Sequence, residues 1–382
     1  MKVLYFANHS EITGANLSLI ALITHIRNHG VEVRVIIPTH GPIEKKLQEA
    51  TIPYDIIPAF QRVYPIEDAK NPVKMAKNML KALITRINEN KAYDLITQYQ
   101  PDLIHINTVS AKLGFRSARK LNIPVVWHVR EMVHEDHGYQ FLLEKYAYRE
   151  LEKATRIIAI SDSVYKKFHS LIPKANMVRI YNGVDTDVYY DESHRPFEND
   201  TVNLTIAGRI KASKGFEDAL GAMRILCEQK HRGLVLQIAG DCYDAQYFNS
   251  LKQYVSDHNM EQQVHFIGFQ PNMADVWRKT DIALVCSKAE AFGRVTVEAM
   301  LCGALVIGAD TMGTKELVHD GENGFLYSQG SEVSLAAVCE KALDNKEACI
   351  QIVNNAIRQA KEEFTAQRNA EQIEKLYREI LN

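Results

Sequence analysis

The chain has 382 residues, 46% of them hydrophobic, and a formal net charge of −2 at pH 7. That is more chain than one hydrophobic core usually serves, so two domains are expected, and the near balance of charge excludes a general nucleic-acid binder. No run approaches the roughly eighteen apolar residues of a membrane span, so the chain reads as cytoplasmic, and the opening residues 1–8 read as a buried strand rather than a signal peptide.

In chain order, short apolar runs at residues 3–7, 31–37, 54–57, 103–106, 124–129 and 156–160 alternate with longer helical patterns. This is the mark of a parallel sheet covered on both faces. Residues 186–200, rich in Asp, Glu, Pro, Asn and aromatics without periodicity, are expected to be a linker. A second set of runs follows at 202–207, 234–239, 264–267, 281–285 and 305–307. The expected fold class is α/β, with two doubly wound Rossmann-like domains facing a central cleft. The domains are 1–185 and 201–363, and Ile373, Leu376 and Ile380 give the segment 364–382 an apolar helix face that packs back on the first domain. All six cysteines lie in the second half without Cys-x-x-Cys spacing, which predicts buried free thiols rather than disulfides or a zinc site.

Ligands of doubly wound sheets bind beyond the C-terminal strand ends, so each strand end is a place to look. After the first strand, Gly14 stands alone before a helix. It is not a Gly-x-Gly-x-x-Gly fingerprint, yet it allows a ligand to approach backbone N–H groups, and a plain helix-capping turn explains it equally. His128, in Trp-His-Val-Arg-Glu, places an imidazole at a strand end, in either a functional or a structural role. His134-Glu135-Asp136-His137 mixes metal-ligand residue types without a third ligand at diagnostic spacing, and a polar loop against an acceptor is the milder reading. Asp185-Thr186-Asp187 falls among turn residues, which argues against a metal role. Gly208-Arg209 and Lys214-Gly215 set two cations on either side of a short loop, an arrangement that can clamp a diphosphate. Gly268 and Phe269 end another strand as a base pocket would, although core packing accounts for the preceding Phe266 and Ile267.

The stretch 288–298 gathers most of this chemistry. Glu290 and Glu298 flank Phe292-Gly293, and a helix starting near Arg294 and Val295 presents free N–H groups that attract an anion. Two carboxylates that accept hydroxyls on either side of an anion site suit a nucleotide sugar, while two glutamates eight residues apart are also common on solvated helices.

Together these residues resemble the retaining glycosyltransferases of family 4, group 1 type, which have the GT-B fold. The resemblance covers nearly the whole chain and is strongest over residues 182–327: Asn182-Gly-Val-Asp185, Gly208-Arg209 with Lys214-Gly215, the Glu290 to Glu298 spacing, and the segment 303–316. It implies that Arg209 and Lys214 bind the diphosphate, with Phe292, Gly293 and the backbone of Arg294 and Val295 supporting the distal phosphate. It also implies that Glu298 holds the ribose, Glu290 the donor sugar, Gly14 the phosphates and His128 the reacting sugar. The implied reaction moves a sugar, from a UDP-sugar by preference, to a hydroxyl of a glycan or lipid-linked acceptor with retention, without a cofactor or a metal, in cell-surface polysaccharide or glycolipid synthesis. The chain departs from the family at Thr13, Ala304 and Met312, where Gly, Pro and Gly are frequent. The rival readings are an epimerase or hydrolase on the same fold and a non-catalytic nucleotide-sugar binder.

Residues 61–120 carry eleven Lys and Arg against five Asp and Glu. Lys70, Lys74, Lys77 and Lys81 fall at helical spacing, and Lys112, Arg116 and Arg119 repeat the pattern. Such faces can dock on anionic headgroups, which adds the inner face of the cytoplasmic membrane as a partner surface. A solvated helix face is the alternative.

Overall fold

Each half of the chain builds its own parallel sheet. The computed structural model describes residues 1–135, 138–229 and 233–382. The chain divides into Met1–Gly183 with Ala366–Asn382, and Val184–Thr365.

The first unit contains β1 (Lys2–Phe6), β2 (Glu32–Ile37), β3 (Tyr54–Ile56), β4 (Val63–Pro65), β5 (Leu103–Asn107), β6 (Val125–Val129), β7 (Tyr139–Phe141), β8 (Arg156–Ala159) and β9 (Met177–Arg179). Seven of these form one sheet in the order β3-β2-β1-β5-β6-β8-β9, and β4 pairs antiparallel with β7. The helices here are α1 (Gly14–Arg27), α2 (Ile43–Glu49), α3 (Pro72–Tyr99), α4 (Phe115–Lys120), α5 (Glu144–Leu151) and α6 (Asp162–Leu171). Every residue of β5 and β6 is buried. That is why these strands read as continuous runs and not as an alternation: helices cover both faces. Strand order reverses beside β1, so the first unit has its switch point between β1 and β5.

The second unit contains β10 (Val202–Ala207), β11 (Leu234–Ala239), β12 (Val264–Gly268), β13 (Ile282–Val285), β14 (Leu305–Ala309) and β15 (Phe325–Tyr327), ordered β12-β11-β10-β13-β14-β15. Its helices are α7 (Thr186–Tyr189), α8 (Phe216–Glu228), α9 (Ala245–Asp257), α10 (Met273–Trp277), α11 (Arg294–Leu301), α12 (Met312–Leu317), α13 (Glu332–Asp344) and α14 (Lys346–Glu363). The reversal lies between β10 and β13. Cys286, Cys302, Cys339 and Cys349 are buried free thiols, and Cys227 and Cys242 are half-buried ones.

The last helix, α15 (Ala366–Leu381), belongs to the first unit, where Ala370, Ile373, Leu376 and Tyr377 share a core with Leu19, Leu22, Ile23 and Ile26 of α1. Each such fully buried Leu or Ile contributes about 1.5–3 kcal/mol. The chain therefore leaves the first unit at Gly183 and re-enters it at Ala366.

Residues 186–200 do not behave as the linker expected from their composition. Their polar groups, backbone N–H groups included, find partners inside the second unit. Asp185 caps α7 by accepting from the Asp187 N–H at 3.0 Å, Asp191 pairs with Arg278 at 3.3 Å, and the Phe197 N–H donates to Asp281 at 2.6 Å. Among the described residues no helix is long and apolar enough to cross a membrane.

Candidate functional site

Two strand-end loops meet at the switch point of the second sheet. β10 runs out through Gly208 and Arg209 into a 3-10 turn at Ala212–Lys214, and β13 runs out through Cys286 toward Glu290. The Lys288 N–H donates to the Ser213 carbonyl at 2.9 Å and ties the loops together. Gly215 makes this approach possible: its φ is +70°, and an added Cβ there meets the Cys286 carbonyl oxygen at 2.1 Å.

The consequence is an ion pair between Lys214 Nζ and Glu290 Oε1, the same carboxylate oxygen accepting from Ser287 Oγ at 2.7 Å. The Lys214 and Glu290 side chains are 23% and 14% exposed. Burial pushes the Glu290 carboxyl up, but the Lys214 ammonium and the Ser287 hydroxyl outweigh it and hold the group below the ordinary carboxylate range. The loop after β14 closes on the same residue, because the Gly313 N–H donates to the Glu290 carbonyl at 3.0 Å.

Three residues further on, Gly293 at φ +91° turns the chain into α11. The dipole of α11 adds positive potential at that end. Glu298, one turn in, is buried and accepts from Arg294 Nη2 at 3.1 Å, while Val295 is half-buried. Phe292 is buried edge-on against Phe364, so what it can offer a ligand is backbone.

Three neighbouring strand ends carry the remaining groups. Arg209, after β10, is exposed and lies 5.2 Å from the ring of Tyr243, which follows β11. Phe269 follows β12 beyond Gly268, whose carbonyl accepts from the Gly240 N–H at 2.9 Å. Tyr243 and Phe269 are 77% and 56% exposed, an unusual cost for aromatic rings unless something stacks on them. Tyr243 escaped the sequence reading; an aromatic just past the run 234–239 was the available signal.

One edge of the second sheet thus brings together Gly208, Arg209, Lys214, Gly268, Phe269, Glu290, Phe292, Gly293, Arg294, Val295 and Glu298. Fixed cations beside a helix N-terminus suit an anion of more than one charge, carboxylates beside them suit hydroxyls, and exposed rings suit a flat base.

Gly14 and His128 lie in the first unit. Gly14 is exposed at the start of α1, and nearby Asn8 Nδ2 donates to Ser110 Oγ at 3.2 Å across the β1–β5 switch point. His128 lies near the end of β6. It is fully buried, its Nδ1 3.2 Å from His105 Nε2, and His105 Nδ1 lies 2.5 Å from the Tyr377 hydroxyl of α15. Burial first, then the charge of Arg130, holds both imidazoles well below their ordinary range. Through Nδ1 His128 joins the ends of β5 and β6 to the last helix, while its Nε2 has no hydrogen-bond partner among the described residues.

Arg130 and Glu131, the two residues after β6, were not singled out from the sequence although they follow the same strand. Arg130 Nε donates to Asn107 Oδ1 at 2.6 Å, and its Nη1 donates to Asn182 Oδ1. Glu131 accepts from the Ser110 N–H at 3.0 Å, and burial raises its carboxyl. Of the stretch 134–137, His134 pairs with Glu144 at 3.7 Å and Glu135 pairs with Lys167, whereas Asp136 and His137 lie outside the described residues. Among the described residues no three His, Cys, Asp or Glu side chains gather as a metal site requires.

The chain is similar to known glycosyltransferases. Residues 191–359 match the family described as glycosyl transferases group 1, and residues 12–188 match glycosyltransferase family 4. The chain is 26% identical over 239 residues to N-acetyl-alpha-D-glucosaminyl L-malate synthase of Bacillus anthracis, covering 60% of this chain and 61% of that enzyme. It is 23% identical over 343 residues to the capsular polysaccharide biosynthesis glycosyltransferase CapM of Staphylococcus aureus, covering 85% of each. In fold it is similar to Anabaena HepE, solved in complex with UDP and glucose, with a TM-score of 0.79 at 22% identity over 99% of this chain and 100% of that one.

Proposed function

This chain belongs to the family 4, group 1 type glycosyltransferases with the GT-B fold, and on that premise we propose that it transfers a sugar from a UDP-sugar to an acceptor hydroxyl with retention at the anomeric carbon. The observation that carries the reading is the Lys214–Glu290 pair at the switch point, beside Arg209 and the start of α11. The diphosphate takes Lys214 and Arg209 as its counter-charges, with the backbone from Gly293 to Val295 at its distal phosphate. Lys214 thereby releases Glu290 to orient the sugar hydroxyls. Glu298 holds the ribose, and Phe269 with Tyr243 frames the base. UDP is favoured because the structurally similar HepE was solved with it.

In the reaction the bond from the anomeric carbon to the diphosphate oxygen breaks, and a bond to the acceptor oxygen forms on the same face. The acceptor proton passes to the departing diphosphate oxygen. Cations fixed before that charge develops supply the main stabilisation, so the account requires no metal. Glu290 acts as a hydroxyl clamp rather than a nucleophile, since the same-face transfer just described needs no covalent sugar–enzyme intermediate. The acceptor is a glycan or a lipid-linked sugar. The lysines of α3 favour an anionic membrane surface, with Lys74, Lys77 and Lys81 exposed on the helix, Lys70 in the turn before it and Lys112 in the loop before α4.

The test is product analysis with UDP-sugars in the presence of a chelator. A product that keeps the donor's anomeric configuration, formed at an unchanged rate, supports the proposal. An inverted product, free sugar alone or an epimerised donor contradicts it, and the last two outcomes favour a hydrolase or an epimerase.

A further inference from the structure

A second cavity lies within the first unit. It measures about 350 Å³, within the range of small-molecule sites, and is lined from the segment 60–62, from α3, from the loop before α4 and α4 itself, and from the segment 142–150 around α5. Its lining has two chemistries. Arg62, Arg86, Lys112 and Arg116 bring positive charge. Among the described residues that line it, Glu150 is the one carboxylate, and it is already committed to Arg62 at 3.3 Å and Arg116 at 3.6 Å. Arg62 is buried and fixed, since its Nε donates to the Val109 carbonyl at 2.8 Å and its guanidinium lies over the Trp127 ring. Neither Arg86 nor Lys112 forms a direct ion pair among the described residues, although the Lys112 charge acts on the buried Glu89 carboxyl of α3. The rest of the lining is apolar and includes Phe60, Leu142, Leu143 and Tyr146.

The apolar surface continues outside the cavity. In its middle α3 buries the polar Thr85, Asn88 and Glu89, and only further on the apolar Ala92 and Ile96. Its outward face carries Val73, Met79, Leu80, Leu83 and Ile87, all between 49% and 64% exposed, and Leu143 at the cavity is 63% exposed. By helical spacing, Leu83 neighbours the cavity-lining Arg86 three residues on, and Ile87 neighbours Leu83 four residues on. A cationic pocket opening onto a long exposed apolar ridge is complementary to a molecule with an anionic head and a hydrocarbon tail.

We propose that this cavity is a subsite for the phosphate-bearing end of a lipid-linked acceptor. The phosphate sits among Arg86, Lys112 and Arg116, and the hydrocarbon leaves over Leu143 and the outward face of α3. The proposal rests on the transferase reading above, and it selects the lipid-linked acceptor over the free glycan.

The experiment is calorimetric titration of the full chain with dodecyl phosphate below its micelle concentration, with glycerol phosphate, and with a neutral dodecyl glycoside. UDP is titrated into the same samples. Saturable binding of dodecyl phosphate is expected, at least tenfold tighter than either control. Arg86→Gln and Lys112→Gln each weaken it roughly tenfold, Leu83→Ser weakens it through the tail, and UDP binding stays unchanged in all three. Glycerol phosphate binding as tightly as dodecyl phosphate, the neutral amphiphile binding as tightly, or indifference to the two cation variants overturns the proposal. If UDP binds and dodecyl phosphate does not, the subsite fails while the transferase reading stands. If UDP fails to bind the unaltered protein, that reading itself is in error.

Discussion

Lys214 and Glu290, 76 residues apart in the chain, form an ion pair where the β10 and β13 loops meet. The pair joins the cation loop to the carboxylate loop and keeps both charges satisfied in the unliganded site. Under the proposed function, a diphosphate that draws Lys214 away frees Glu290 in the same step, which would couple binding of the anion to orientation of the sugar.

Removing the cation exposes this coupling as a pH effect. In Lys214→Met, Glu290 is left largely buried without its counter-charge, and its carboxyl rises from below to above its ordinary range. In the native protein its lowered pKa contributes stability above about pH 4.5, lost as pH falls through the folded value; in the variant the sign reverses. We expect a loss of about 1–3 kcal/mol near neutral pH, discounted from a fully buried pair because both side chains keep some exposure, and shrinking as the solution is acidified. Urea unfolding across the acid range measures it. A penalty independent of pH means that the pair carries no linkage.

His105 and His128 make an opposite demand on the first unit. Both stay neutral in the fold, while the unfolded chain takes up protons below about 6.5. Stability is therefore fully present above that value and falls on acidification, by about 1.4 kcal/mol per pH unit for each histidine until the folded protein also protonates. The double variant His105→Gln with His128→Gln is expected to flatten the dependence between about pH 6.5 and 5. The same slope in wild type and variant rules out these groups as its source.

Gly215→Ala tests the approach of the two loops. The substitution places a side chain at φ +70° and drives Cβ into the Cys286 carbonyl at 2.1 Å. Gly321, at φ +76° with nothing within 4 Å of an added Cβ, supplies the control. Gly321→Ala should cost only the left-handed penalty of about 1–2 kcal/mol, and Gly215→Ala clearly more, read as the drop in thermal midpoint. Equal losses mean that the β13 loop gives way and the contact is not tight.

Much of this was legible in the sequence, and the parts that were not share a cause. The alternation of apolar runs and helical patterns gave two parallel sheets, and the strand-end rule led to Arg209, Lys214, Glu290 and Glu298. What spacing cannot reveal is which groups already satisfy one another. Lys214 and Glu290 read as separate motif halves because their contact is made across three crossovers. His128 read as a cleft residue because a strand end says nothing of what covers it; α15, far along the chain, brings Tyr377 against its partner His105. The lysines of α3 stood out, but the apolar face between them did not, because periodicity marks two faces without saying which one the domain buries. Residues 186–200 looked like a linker because a segment held by polar partners has no hydrophobic period.

The central claim is that the edge of the second sheet holds a nucleoside diphosphate between its cations and the start of α11. Calorimetric titration of UDP into wild type, Arg209→Ala and Lys214→Ala tests it most directly. The account predicts saturable binding to wild type and a loss of roughly ten- to hundredfold in each variant, the equivalent of one charge-assisted contact of about 1.5–3 kcal/mol. No UDP binding to wild type, or undiminished binding in both variants, contradicts it.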